Sequence, residues 1–164
     1  MMTTMSPLLK KRWISGAGTT HSFDEVSNMV SLHSHTNKIF IGSDSFLTKK
    51  RTCFVTAVCL ITKDKGGRYF LYKDYLKTNQ FNILSVRITE EVRRSIELAE
   101  YFMNTYNILP QDIELHLDVS PFAAKNGTSK FSEMLRGYVQ GYGFGCKLKP
   151  NAWASQTVAD KHSK

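Results

Sequence analysis

Residues 39–62 read IFIGSDSFLTKKRTCFVTAVCLIT. Two runs rich in β-branched and aromatic residues, Ile39–Phe46 and Thr52–Thr62, flank a basic turn from Thr48 to Arg51. That is the pattern of an antiparallel hairpin. Alternation in the first run sends Ile39 and Ile41 one way and Phe40, Gly42 and Asp44 the other. An acid, Asp44, therefore ends an otherwise apolar strand. Downstream, Asp64-Lys65-Gly66-Gly67 is a second turn signal. The stretch RYFLYKDYL, Arg68 to Leu76, reads as a third strand. Three consecutive strands with short turns make a meander.

The period then changes. Ile88, Val92, Ser95, Ile96, Ala99, Phe102 and Met103 fall on one helical face, which predicts a long helix over residues 85–106. Leu109-Pro110 stops it. Residues 113–119 (IELHLDV) predict a fourth strand, followed by a loop from Pro121 to Thr128. Ser129 opens a second helix to about Tyr142, and the GYGFG stretch, Gly141 to Gly145, reads as its stop. Cys146–Leu148 is a short fifth strand and Ser155–His162 a last helix. Upstream, Ser22 with Glu25 three residues later is a capping box for a short helix ending near His33. Residues 1–20 hold a Gly, Ser and Thr cluster and no period, and are expected to be a flexible basic arm before a domain spanning 21–164. The order β-β-β-α-β-α-β-α, with right-handed crossovers after the meander, predicts an α/β domain: a mixed five-stranded sheet flanked by helices.

The chain of 164 residues is long enough for one core without staples. Lys and Arg number 22 against 14 Asp and Glu, a net charge of +8. Such a surplus favours a polyanionic partner, nucleic acid above all. Cys53, Cys59 and Cys146 are odd in number and form no CxxC pair. That excludes a disulfide framework and a zinc ribbon, and suits a reducing, cytoplasmic setting. No apolar run approaches the length of a membrane span, and the N-terminal MMTTMSPLLKKRW has no apolar core of a signal peptide.

Against that basic background four acids stand near element ends. Asp44 and Asp118 each end an apolar strand, Glu91 lies in the first turns of the long helix, and Asp160 lies in the last helix. Singly each has a plain explanation: a strand end meeting water, or an acid favoured by a helix dipole. At about 100° per residue, Glu91 falls on the edge of the apolar face centred near Val92 and Ala99, while its neighbour Glu90 points away. His116 shares a strand face with Asp118 and reads as a structural histidine. Converging acids repel, so a cluster of this kind needs cations. Mg²⁺ or Mn²⁺, expected as a pair, suits oxygen ligands and phosphodiester hydrolysis. Lys125, Lys130 and Lys149 are placed to follow phosphates, and Trp153 to stack a base or to pack in the core. Arg93 and Arg94 are expected on the solvated side of the helix, and Trp13 is a further stacking candidate.

The segments IFIGSDS (39–45), TEEVRRSIELAEY (89–101), ELHLDVS (114–120) and KLKPNAWASQTVADKHSK (147–164) resemble the YkuK-type family of ribonuclease H-like proteins. The last is the most specific. The resemblance implies a ribonuclease H-like fold and a divalent-metal nuclease acting on RNA or an RNA–DNA hybrid. It implies that Asp44, Glu91, Asp118 and Asp160 are the metal-binding carboxylates. Ser43 stands where the family leads one to expect Thr, and Phe46 where one expects Gln; the second bears on substrate contact. Two other readings are a non-catalytic nucleic-acid-binding module on the same fold, and a DNA-specific nuclease or resolvase.

Overall fold

The computed structural model describes residues 7–62, 66–119, 128–149, 151–154 and 158, with the side chains of 78 and 128–130 left aside. Among these residues seven strands and three α-helices follow in the order β1 (Trp13–Ser15), β2 (Thr20–His21), α1 (Phe23–Ser34), β3 (Ile39–Leu47), β4 (Arg51–Thr62), β5 (Gly66–Lys77), α2 (Leu84–Tyr106), β6 (Ile113–His116), α3 (Thr128–Gln140) and β7 (Gly145–Lys147). They form one mixed sheet in the order β2-β1-β5-β4-β3-β6-β7. The meander β3-β4-β5 is antiparallel, whereas β6 pairs with β3, and β7 with β6, in parallel. Each parallel strand is reached through a helix, as the crossover rule requires.

Local chemistry sets the helix ends. The Ser22 hydroxyl accepts from the Glu25 amide at 3.2 Å and caps α1. The reciprocal half of the expected box is absent: the Glu25 carboxylate lies 3.0 Å from His21 Nδ1. The long helix stops at Tyr106, before Pro110, because Asn107 takes a left-handed conformation with φ 57°. Gly143, with φ 88°, turns the chain after α3.

The pleat divides the core. Ile39 and Ile41 of β3, with Val58, Phe70 and Tyr72, face α1 and α2 across the main cluster. Cys53, Val55, Ala57 and Leu71 form a smaller cluster on the opposite face, where Ile14, Phe46, Tyr69 and Val158 also pack. Hydrophobic burial on both faces explains why β4 is apolar almost throughout, without the alternation of a half-exposed strand.

Three expectations need correction. The fourth strand is shorter, ending at His116, so Asp118 lies just past it. The sheet has two strands more than five. Residues 7–15, expected in a loose arm, are packed: Leu8 and Trp13 are buried. Trp13 stacks on Phe23 at 5.4 Å between ring centres and meets Tyr72 edge-on at 4.8 Å. One large indole finding a pocket outweighed a flexible local sequence. Residues 1–6, and most of the expected C-terminal helix, lie outside the described residues. No helix among the described residues is long and apolar enough to cross a membrane.

Replacing Trp13 with alanine is expected to cost about 3–5 kcal/mol of stability. Urea unfolding measures it; a cost near zero would return the segment to a loose arm.

Candidate functional site

The site begins with the phase of β3. Ser43 points to α2, where its Oγ lies 2.8 Å from Ser95 Oγ and 3.0 Å from Thr56 Oγ1 of β4. Two residues on, Ser45 donates to Glu91 Oε2 at 2.5 Å. The spacing is commensurate: two strand residues advance about 6.6 Å and four helix residues about 6 Å. Residues 43 and 45 therefore meet 95 and 91 as two rungs, and the rungs fix the height of Glu91 on the sheet.

Asp44, between the rungs, leaves β3 on the other side, opposite Val55 in the ladder. The parallel ladder of β3 and β6 ends at Gly42 and His116. Two residues further along each chain come Asp44 and Asp118. Beyond the end of that ladder the carboxylates of Asp44, Glu91 and Asp118 converge, with one oxygen of each within 4.8 Å of the others. Asp44 and Glu91 are buried, and Asp118 is partly exposed.

Such proximity has an electrostatic consequence. Burial pushes the Glu91 carboxyl well above the usual carboxylate range, and the charges of Asp44 and Asp118 push it further. The Ser45 hydrogen bond and the Arg87 charge act the other way. Lys149 Nζ lies 2.8 Å from Asp118 Oδ1. The donor set is all carboxylate oxygen, partly open at Asp118, and short of positive charge, which fits a hard divalent cation. The thiols are poor alternatives for chemistry: burial pushes Cys59 up to about 12 and Cys146 up to about 11.

The structure thus gathers Asp44, Glu91 and Asp118, and gives Lys149 a direct partner in Asp118. Asp160 and Lys125, and the side chain of Lys130, lie outside the described residues. The chain leading toward Asp160 is anchored, however. His116 Nδ1 accepts the Ala154 amide at 3.0 Å, which leaves Nε2 to donate to Glu114 at 2.9 Å. Burial lowers the His116 pKa, in keeping with a neutral ring in this role. Trp153 packs on His116 and Phe40, at 4.9 and 5.0 Å between ring centres. Its ring serves as packing there. Val158, two residues before Asp160, lies on the sheet face from which Asp44 projects.

Glu90 pairs with Arg93 and takes no part in the cluster. The expectation that Arg94 is solvated is wrong. Arg94 is 6% exposed, lies over the Phe54 ring at 4.6 Å and donates to Asp74 at 2.8 Å. It also lies 3.5 Å from Glu90 one turn back, but Asp74 sits on β5, a non-local contact that helical phase does not reveal. Sequence reasoning also missed Arg87, whose signal was its place one turn before Glu91.

A family model described as ribonuclease H-like matches residues 22–164. No curated protein and no solved structure matches the chain.

Because its folded-state pKa is raised, Glu91 favours stability fully below the unfolded carboxylate value of about 4.3. That contribution is lost as pH rises through the raised folded-state value. In EDTA, thermal midpoints followed from about pH 4 to pH 8 should fall in the parent protein and fall less in Glu91→Gln. Matching profiles would take Glu91 out of the buried cluster.

Proposed function

The chain belongs to the ribonuclease H-like family, and from that premise we propose that it is a divalent-metal-dependent nuclease acting on RNA or an RNA–DNA hybrid. The observation that carries this is the convergence of Asp44, Glu91 and Asp118 in a protein of net charge +8. The surplus of cations draws a phosphate backbone to a centre that its own acids would otherwise repel. A module that only binds gains nothing from three acids held together beside its ligand.

In this reading Asp44 and Asp118 hold both of two ions, Mg²⁺ or Mn²⁺, with Glu91 holding one and Asp160 the other. When bound, the ions would polarise a water and offset charge growing on the scissile phosphate. The protein's own part is preorganisation. The Ser45 hydroxyl orients the Glu91 carboxylate, and the Ser43–Ser95 contact holds the helix that carries it. Burial of Asp44 and Glu91 keeps bulk water from two of the three acids. Lys149 offsets the charge of Asp118. The resemblance to the family implies products with a 5′-phosphate and a 3′-hydroxyl. The three free thiols support a reducing, cytoplasmic setting.

The test is cleavage of end-labelled RNA–DNA hybrid, single-stranded RNA, duplex DNA and single-stranded DNA with Mg²⁺, Mn²⁺ or EDTA. Metal-dependent cutting of RNA or hybrid is expected. Asp118→Asn should lose more than the roughly 10–100-fold that removal of a metal site's supporting hydrogen bond costs. Cutting of DNA alone would transfer the reading to a DNA nuclease. Salt-sensitive binding with no cutting would leave a binding module.

A further inference from the structure

The sheet face that carries Asp44 continues past the acids. Register fixes its rows. Asp44 lies opposite Val55, and Val55 opposite Lys73. The next row on that face runs from Phe46 through Cys53 to Tyr75, and the row after it holds Arg51 and Lys77. Strand spacing puts the Lys73 Cα about 10 Å from that of Asp44, and Arg51 and Lys77 about 13 Å further along the strands.

Charge on β5 is sorted by the pleat. Arg51, Lys73 and Lys77 are exposed on the Asp44 face. Asp74, the one acid of β5, points to the helix side, where it pairs with Arg94 at 2.8 Å and Lys11 at 3.2 Å. A merely solvated surface has both signs interspersed; this face has cations in front and the acid behind. Tyr75 is 46% exposed, and the Arg51 guanidinium lies over its ring at 4.1 Å. In the ladder Cys53 lies directly opposite Tyr75 on this face.

We propose that Arg51, Tyr75, Lys73 and Lys77 form a track for an unpaired nucleic-acid strand, leading across the sheet to the carboxylates. A guanidinium stacked on a tyrosine offers its outer plane to a base. Only an unpaired strand can turn a base face to it, because in a duplex both faces are covered by neighbouring pairs. The lysines take phosphates without regard to sequence. The inference rests on the nuclease reading for where the strand leads, and not for whether it binds.

The test therefore measures binding in EDTA, where no cutting occurs. The probes are a short fluorescent single-stranded RNA and the blunt RNA–DNA hybrid of the same sequence, read by anisotropy. Arg51→Ala and Tyr75→Ala should each weaken single-strand binding about tenfold, and hybrid binding much less. Arg51→Lys, which keeps the charge and loses the plane, should resemble Arg51→Ala. Lys73→Gln should lower the slope of log affinity against log salt by about 1. These side chains are exposed, and circular dichroism is the check that each variant folds. Unchanged single-strand affinity in Arg51→Ala and Tyr75→Ala would overturn the track, as would no binding by the parent protein. An equal loss on the blunt hybrid would overturn its preference for unpaired bases. Failure of the nuclease reading would show separately, as absent cleavage with this binding intact.

Discussion

A β-strand turns successive side chains to opposite faces, and the arrangement of this protein depends on how β3 uses that constraint. Ser43 and Ser45 face the helix layer and bond to Ser95 and Glu91. Asp44, between them, faces the other way. One strand therefore both fastens α2 and presents a carboxylate beyond the reach of the main core. A slip of one residue in the β3–β4 ladder would exchange these roles and bury an acid among apolar side chains. The long ladder, nine residues from Ile39 to Leu47, guards against it.

The acid centre is held against its own repulsion. Three carboxylates meet where the parallel ladder ends, and the counter-charges come from elsewhere: Arg87 from the turn before Glu91, and Lys149 from the chain after β7. An ion pair as open to water as Lys149–Asp118 contributes little by itself. The elements bearing the acids must be anchored independently, and they are. Hydroxyl contacts hold Glu91, the ladder holds Asp44, and backbone bonds from Leu117 to Lys147 and from Lys149 to Val119 hold the stretch around Asp118.

What the sequence disclosed follows from the range of the forces involved. The cap at Ser22, the hairpin of β3 and β4 and the long helix are local matters of spacing, and were legible. So was the helical phase that turns Glu91, rather than Glu90, toward Ser45 and the other acids. Asp44 and Asp118 were legible as acids at strand ends, and the structure brings both to Glu91. The burial of Trp13 and of Arg94 was not legible. Each depends on a partner distant in the chain, Tyr72 for one and Asp74 for the other. The hydroxyls of Ser43, Thr56 and Ser95 likewise carried no signal until three elements met.

The N-terminal segment has a further consequence. The sheet ends at β2 on one side and β7 on the other, its two outermost strands being two and three residues long. The strand β5 is twelve residues long and is internal because β1 pairs with its middle, at Phe70 and Leu71. The family match begins only at residue 22, so the piece that covers β5 lies outside it. Without that piece a long unpaired edge would face solvent, a template for strand pairing with another chain. Residues 13–21 thus interrupt the open edge of β5 at its middle, breaking the run of backbone groups to which another strand could add.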